Sequence, residues 1–329
     1  MGARRAVVQS IDEVVRTGML RPGASMLVVE PAADDVDLIA WSENHRPIID
    51  EMLLRHGALL FRGFAISEAE RFERFALNLC SDLFRENGEH PRQSVVGGVY
   101  TPVFYPPQLQ LLWHNENSFN LQWPMKIMFA CAKPAMTGGG TPVVDSRKVY
   151  AHVPANIRER FASKRIMYVR NYGAGLGLHW TDVFQTTSKE EVEAQCRRTG
   201  VEYEWKGGDR LRTHCVRPAV IRHPRSGDIV WFGQPQHWHV SCLDEQTRKS
   251  LQRTFAEGDW PRHCYYGDGS PISDEEMRAI LQVYGELEER FTWARGDVLA
   301  LDNLLMAHGR EAYSGERKLF VAMGEMGSF

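Results

Sequence analysis

Trp113-His114-Asn115-Glu116 sets an imidazole and a carboxylate one residue apart, and a second histidine, His308, lies far downstream. On a short extended segment the period of two puts side chains 114 and 116 on one face, where they can take neighbouring positions around a metal. A third ligand must come from elsewhere in the chain, and His308 is the candidate. Two histidines and one carboxylate on one triangular face of an octahedron leave three positions open, as in non-haem iron(II) sites that hold a co-substrate and oxygen together. A lone H-x-E is a common triplet, so its meaning depends on its surroundings. His237 and His239, within Trp231-Phe232-Gly233-Gln234-Pro235-Gln236-His237-Trp238-His239, share the same spacing and are the competing place for a metal. That stretch also suits a pocket wall that packs an apolar body and hydrogen-bonds polar ends, with Trp231, Gln234, His237 and Trp238 as substrate contacts. An ordinary buried hairpin is the third reading of it.

The elements that must position these groups are legible from patterning. Val7, Val8, Ile11, Val14 and Val15 recur at near-helical spacing before Gly18 and Pro22-Gly23, which predicts an amphipathic N-terminal arm over residues 1–24. A strand over 25–30, a helix over 36–56 stopped by Gly57 and a buried strand over 58–62 follow. Ser67 with Glu70, Ser188 with Glu191 and Ser273 with Glu276 have the capping-box spacing, each opening a helix. Residues 94–108 read as strands and loops, 127–132 as a buried strand, and Gly138-Gly139-Gly140 as a forced turn into a strand over 143–147. A helix after Pro154, a strand over 166–169, hairpins over 201–240 and strands over 298–301 and 319–323 complete the pattern. No internal repeat or low-complexity linker interrupts it, so a single domain over 1–329 is the simplest expectation.

Composition narrows the function. With 329 residues, 43% of them apolar, the chain can bury a sizeable core. A net charge of −3, from 39 basic and 42 acidic residues, gives no electrostatic reason to expect nucleic acid or an anionic membrane as partner. The six cysteines show no C-x-x-C spacing and read as reduced thiols of a cytoplasmic protein. There is no unbroken apolar core of a signal peptide at the N-terminus, and no stretch approaches the roughly 20 apolar residues that span a bilayer. A small molecule is the expected partner.

Taken in order, Trp-His-Asn-Glu at 113–116, Gly-Gly-x-Thr ending at Thr141, and Asp302-Asn303-x4-His308-Gly309-Arg310-x4-Gly315-x-Arg317 form a set far more specific than its parts. The set resembles the taurine dioxygenase-like iron(II)/2-oxoglutarate oxygenases, nearest the branch that hydroxylates amino acids for nonribosomal peptides and related natural products. The resemblance covers residues 57–323. It implies an α+β fold built on a double-stranded β-helix, or jelly roll, with inserted and flanking helices and iron at its open mouth. It implies His114, Glu116 and His308 as iron ligands, Fe(II) as metal, and 2-oxoglutarate and O2 as co-substrates.

The resemblance also implies Arg317 as anchor of the distal 2-oxoglutarate carboxylate, which a planar guanidinium grips through two parallel hydrogen bonds. Lys318 competes for that role, since on a strand the two point to opposite faces. Thr141 matches the threonine that shares this carboxylate, and Arg310 matches a residue that orients the co-substrate or substrate. Asn115, Asn117 and Ser118, beside the ligands, are candidate substrate contacts. Glu116 argues against a halogenase, which vacates that position for halide. The implied reaction is hydroxylation of an unactivated C–H of a free amino acid, a carrier-protein thioester or a small natural-product acid. A non-catalytic jelly-roll binding protein would not need the full set, and a cupin-like dioxygenase without 2-oxoglutarate would not need Arg317 or Thr141. Succinate formation separates the three.

Overall fold

The run Ile127-Met128-Phe129-Ala130-Cys131 has no polar position because its strand, Gln122–Lys133, is covered on both faces. The computed structural model describes residues 9–10, 14–84, 94–173 and 177–329. In it Gln122–Lys133 lies inside a nine-stranded sheet, with Val298–Asp302 on one side and Lys318–Ser328 on the other. Alternation then divides the side chains. Met128, Ala130, Ala300 and Phe320 face the helices Leu38–His56 and Ala69–Leu79, while Ile127, Phe129, Leu299, Leu319 and Val321 face inward.

The inward face packs on Val143 and Met306 of a second sheet, Val143–Asp145, Met306–Arg310 and Leu111–His114. These two sheets make the jelly roll, and the whole is α+β as expected. The outer side of the second sheet, through Trp113, Val144 and Ala307, is closed by the helix Asp274–Leu287, where Trp113 stacks on Tyr284 at 5.5 Å. A four-stranded sheet, in the order Glu202–Lys206, Arg210–Arg217, Ile166–Tyr172, Arg262–Tyr266, flanks the barrel.

Most elements fall where the sequence places them. Leu38–His56 ends at Gly57 in the left-handed region at φ 75°, where a Cβ would come within 2.7 Å of Met306 Cγ. Ser273 and Glu276 complete a capping box, and Ser188 caps through Glu191 N–H. Four expectations need correction. Residues Val15–Met19 form a strand, paired with Leu27–Pro31 and Gln9–Ser10 at the edge of the large sheet, rather than an amphipathic helical arm. Residues 1–8 and 11–13 of that arm lie outside the described residues. The helix after Ser67 starts at Ala69 without a side-chain cap. The strand over 143–147 stops at Asp145, whose carboxylate accepts from Arg147 N–H and starts the helix Ser146–His152. Residues 231–239 are not a hairpin, since the strand Ile229–Trp231 runs into a turn of 3-10 helix, Pro235–His237.

Candidate metal centre and co-substrate pocket

Antiparallel register makes the centre. His308 on Met306–Arg310 is the direct partner of His114 on Leu111–His114, and their ring centroids stand 4.4 Å apart. The strands come this close because position 309 is glycine, where a Cβ would meet Leu111 O at 2.7 Å. Glu116 lies in the turn just past the strand, its Oε2 4.0 Å from His114 Nε2. One ligand atom from each of His114, Glu116 and His308 falls within 4.8 Å of the others. Among the described residues no second group of His, Cys, Asp and Glu does so.

The surroundings prepare these side chains for a cation. The Leu112 carbonyl, 3.0 Å from His114 Nδ1, accepts that N–H, which fixes the tautomer and leaves the Nε2 lone pair toward Glu116. The same carbonyl accepts from His237 Nε2 at 2.9 Å. Burial and the neighbouring His114 hold the His237 pKa well below its usual value, so it is a neutral ring edge-on to His114 at 4.8 Å. Asn303 grips the Glu116 backbone from both sides. Its Oδ1 accepts Glu116 N–H at 2.7 Å, and its Nδ2 donates to Glu116 O at 3.0 Å and to Pro124 O at 2.8 Å. Asp302 beside it closes the turn by accepting from Leu304 and Leu305 N–H, and accepts at its other oxygen from His223 Nε2–H at 3.0 Å. Two imidazoles and a carboxylate, with one tautomer fixed by a carbonyl, fit a divalent iron.

These groups border a cavity of about 760 Å³. Arg317 enters it half-buried, its Nε donating to Gly139 O at 2.9 Å, and no carboxylate among the described residues pairs with it. Burial first, and Arg310 second, push its pKa down to about 10, so it stays cationic at neutral pH. Thr141, buried on the same cavity, accepts from Trp293 Nε1 at 3.1 Å and thereby keeps its own hydroxyl hydrogen to donate. An enclosed guanidinium that faces no carboxylate among the described residues, beside a hydroxyl donor, fits the carboxylate of a dicarboxylic co-substrate. Lys318 lies at the rim, exposed, with its ammonium 5.4 Å from the Phe320 ring on the helix-covered face of the strand.

The other expected contacts divide. Asn117, at φ 59°, lines the cavity, as do Gln234, His237 and Trp238. Asn115 does not: it is fully buried and donates to Asn303 O at 2.6 Å. Ser118 and Trp231 are also buried away from the cavity, Trp231 against Phe161 at 5.1 Å. His239 is committed to Ile272 O and Ser241 Oγ, so His237 and His239 do not converge as a ligand pair. Arg310 reaches the cavity but spends both Nη groups on the carbonyls of Tyr105, Pro106 and Leu109, making it a clamp on that loop. Asn303 and the cavity arginines Arg170 and Arg262 had no assigned role in the sequence reading. The Asp-Asn pair ahead of His308 was the one available signal for the first.

A jelly roll with two histidines and a carboxylate at its mouth, facing an enclosed arginine, defines the class of non-haem iron oxygenases. The model of the family described as taurine catabolism dioxygenase TauD, TfdA family matches residues 21–323. The chain is 37% identical to the dapdiamide synthesis protein DdaC of Enterobacter agglomerans over 281 residues, 85% of each chain. It is 28% identical to a clavaminate synthase-like protein of Arabidopsis thaliana, over 90% of this chain and 92% of that one. Among solved structures it is similar in fold to PvcB from Pseudomonas aeruginosa, with TM-score 0.57, 17% identity and coverage of 98% and 94%. Another structure of PvcB, described as an Fe, alpha-ketoglutarate dependent oxygenase from an isonitrile synthetic pathway, gives TM-score 0.56 at 18% identity, again covering 98% and 94%. This chain belongs to the TauD/TfdA dioxygenase family. It is an enzyme, a dioxygenase that uses Fe(II) and 2-oxoglutarate.

Proposed function

We propose that this enzyme hydroxylates an unactivated C–H of an amino acid or amino-acid derivative, free or tethered to a carrier protein, in natural-product biosynthesis. His114, Glu116 and His308 hold the iron, and Arg317 with Thr141 holds the distal carboxylate of 2-oxoglutarate. The observation that carries this reading is the convergence of His114, Glu116 and His308 within 4.8 Å on the cavity that Arg317 enters with no carboxylate partner among the described residues. Its relative DdaC, named for dapdiamide synthesis, supports the biosynthetic setting. We also read the chain as one oxygenase domain, because the large sheet joins strands from Gln9–Ser10 to Lys318–Ser328. A cytoplasmic setting agrees with its six free cysteines. Among the described residues no helix is long and apolar enough to cross a membrane.

Bound iron supplies oxygen activation coupled to decarboxylation of 2-oxoglutarate to succinate and CO2. The chain's own residues supply placement. The Leu112 carbonyl keeps the proton on His114 Nδ1, so that Nε2 is always the donor atom. Asn303 holds the Glu116 backbone so that its carboxylate fills a position a halide would otherwise take. Arg317 orients the co-substrate by a charge-assisted pair in an enclosed site, where the pair is stronger than in water. Phe119, Phe129 and Trp238 on the cavity wall exclude water and hold the substrate body near the metal.

The test is to incubate the iron-loaded protein with 2-oxoglutarate and a panel of amino acids, both free and carrier-tethered. A gain of one oxygen by mass spectrometry together with succinate is expected. Absence of succinate above a metal-free control overturns the reading.

A further inference from the structure

Gln234 is 4% exposed and lines the cavity, yet its Oε1 accepts no hydrogen bond among the described residues. A buried carboxamide that serves the fold is hydrogen-bonded, because an unmet acceptor has lost its water without replacement. Asn115 Oδ1 and Gln236 Oε1 are likewise without a donor among the described residues, but neither residue lines the cavity. Other groups fasten the turn that carries Gln234. Tyr168 Oη accepts from Gln234 N–H at 3.1 Å, Gln236 Nε2 donates to Trp113 O at 2.6 Å, and His237 Nε2 donates to Leu112 O at 2.9 Å. The turn is thus closed without Gln234 Oε1, and that oxygen needs a donor that a ligand can bring.

The charge of the cavity wall selects the kind of donor. One carboxylate lines the cavity, Glu116, and it belongs to the metal, whereas the cationic Arg310 and Arg317 also line it. A substrate ammonium would enter against these like charges and meet no acid other than the metal ligand. A neutral N–H avoids that cost. An amide supplies one, and its carbonyl can accept from the donor side of the carboxamide in return. The position agrees. Gln234 precedes His237 by three residues of 3-10 turn, about 6 Å of rise, and the His237 ring stands 4.8 Å from the His114 ring. Phe119 and Trp238, 5.3 Å apart on the same cavity, form an apolar wall for the carbons beside that amide.

Resting on the assignment of His114, Glu116 and His308 to the iron, we propose that Gln234 determines specificity for the primary substrate by accepting an amide N–H from it. The substrate class is then an N-acylated or peptide-linked amino-acid derivative rather than a free amino acid with its ammonium group. Its amide is held at Gln234, and the C–H to be oxidised lies on the metal side of that amide. Arg317 and Thr141 take no part in this contact, so the choice of substrate is made apart from the co-substrate position.

The experiment uses the anaerobic Fe(II) protein saturated with 2-oxoglutarate and three probes. These are N-acetyl-L-alanine methyl ester, O-acetyl-L-lactate methyl ester, in which oxygen replaces the N–H, and L-alanine methyl ester, which carries an ammonium group. Calorimetry reads affinity, and paramagnetic broadening of the ester methyl proton resonance reads proximity to the metal. The N-acetyl ester is expected to bind about tenfold tighter than the lactate ester, the worth of one hydrogen bond to a buried acceptor, and the ammonium probe to bind weakest. Gln234→Met, of similar length, should abolish the preference for N–H and leave 2-oxoglutarate affinity unchanged. Its Tm should be equal or higher, since an apolar group in place of an unmet buried acceptor strands nothing. A residue that braced the fold would lose stability instead, so unfolding of Gln234→Met overturns the proposal. Equal binding of the two acetyl esters, no binding of the N-acetyl ester, tighter binding of L-alanine methyl ester, or an N–H preference that survives in Gln234→Met overturns it as well. Failure of the iron assignment has a different signature: the broadening is lost while the calorimetric preference for N–H remains.

Discussion

Replacing Asn303 with alanine should weaken metal binding although Asn303 touches no metal ligand atom. The side chain is fully buried and makes three hydrogen bonds, two of them to the backbone of Glu116 and one to Pro124 O. Glu116 is half-buried, so water can reach its freed N–H and C=O in part, whereas the Pro124 carbonyl is left without this donor inside the fold. One stranded buried group costs about 1–3 kcal/mol, so a stability loss of about 3 kcal/mol is expected once the smaller losses at Glu116 are included. The second effect is specific. With its backbone released, Glu116 must be ordered by the metal itself, and loss of such an outer partner typically weakens metal affinity by about 10–100-fold. Co(II) titration followed by visible absorption reads the affinity, and thermal unfolding of the apoprotein reads the stability. Asn171→Ala is the control: Asn171 is likewise buried and donates to Gly258 O and Trp260 O, remote from the ligands. It should lose comparable stability and no metal affinity. Asn303→Asp should not rescue, because it sets a carboxylate oxygen against the carbonyls of Glu116 and Pro124. If Asn303→Ala binds Co(II) as the native protein does, Asn303 is a core brace only and the positioning argument fails.

His114→Ala, Glu116→Ala and His308→Ala should each abolish iron retention and oxidation while the circular dichroism spectrum is kept, since the site lies at the mouth rather than in the barrel core; full activity in His308→Ala would refute the ligand set. Arg317→Ala should raise the 2-oxoglutarate requirement about thirtyfold or more, the equivalent of about 2–5 kcal/mol for a stranded buried charge partner. Lys318→Ala should do much less, and a titration in which the two trade places would reverse the facing of the strand. His237→Ala should retain iron, because the Leu112 carbonyl still accepts from His114, while raising KM for the primary substrate; loss of iron would return the metal to residues 237–239. Glu116→Ala in chloride should lose hydroxylation and give at most traces of chlorinated product, which the chlorine isotope pattern in the product mass spectrum checks.

The sequence by itself determined the chemistry and most of the elements. His114, Glu116, His308, Thr141 and Arg317 were legible as candidates because a metal and a dicarboxylate demand particular side chains in a particular order, and an order survives in one dimension. The helix Asp274–Leu287 and the strand through Ile127–Cys131 were legible because local periodicity fixes which face is buried. Other features were decided by pairing between distant segments. Val15 closes a run of near-helical apolar spacing, but an open sheet edge at Leu27–Pro31 takes Val15–Met19 as a strand. Asn115, Ser118 and Trp231 sit beside functional residues in the chain and point into the core, because the turn at Glu116 and the strand end at Trp231 rotate them away from the cavity. Lys318 competed with Arg317 on paper until the strand Lys318–Ser328 put Lys318 with Phe320 and left Arg317 on the cavity side. Asn303 and Glu116 meet only through the register of their strands and turns. Such meetings leave no mark on local composition, because the energy that fixes a register is spread over a whole ladder and its buried face rather than carried by the residues it brings together.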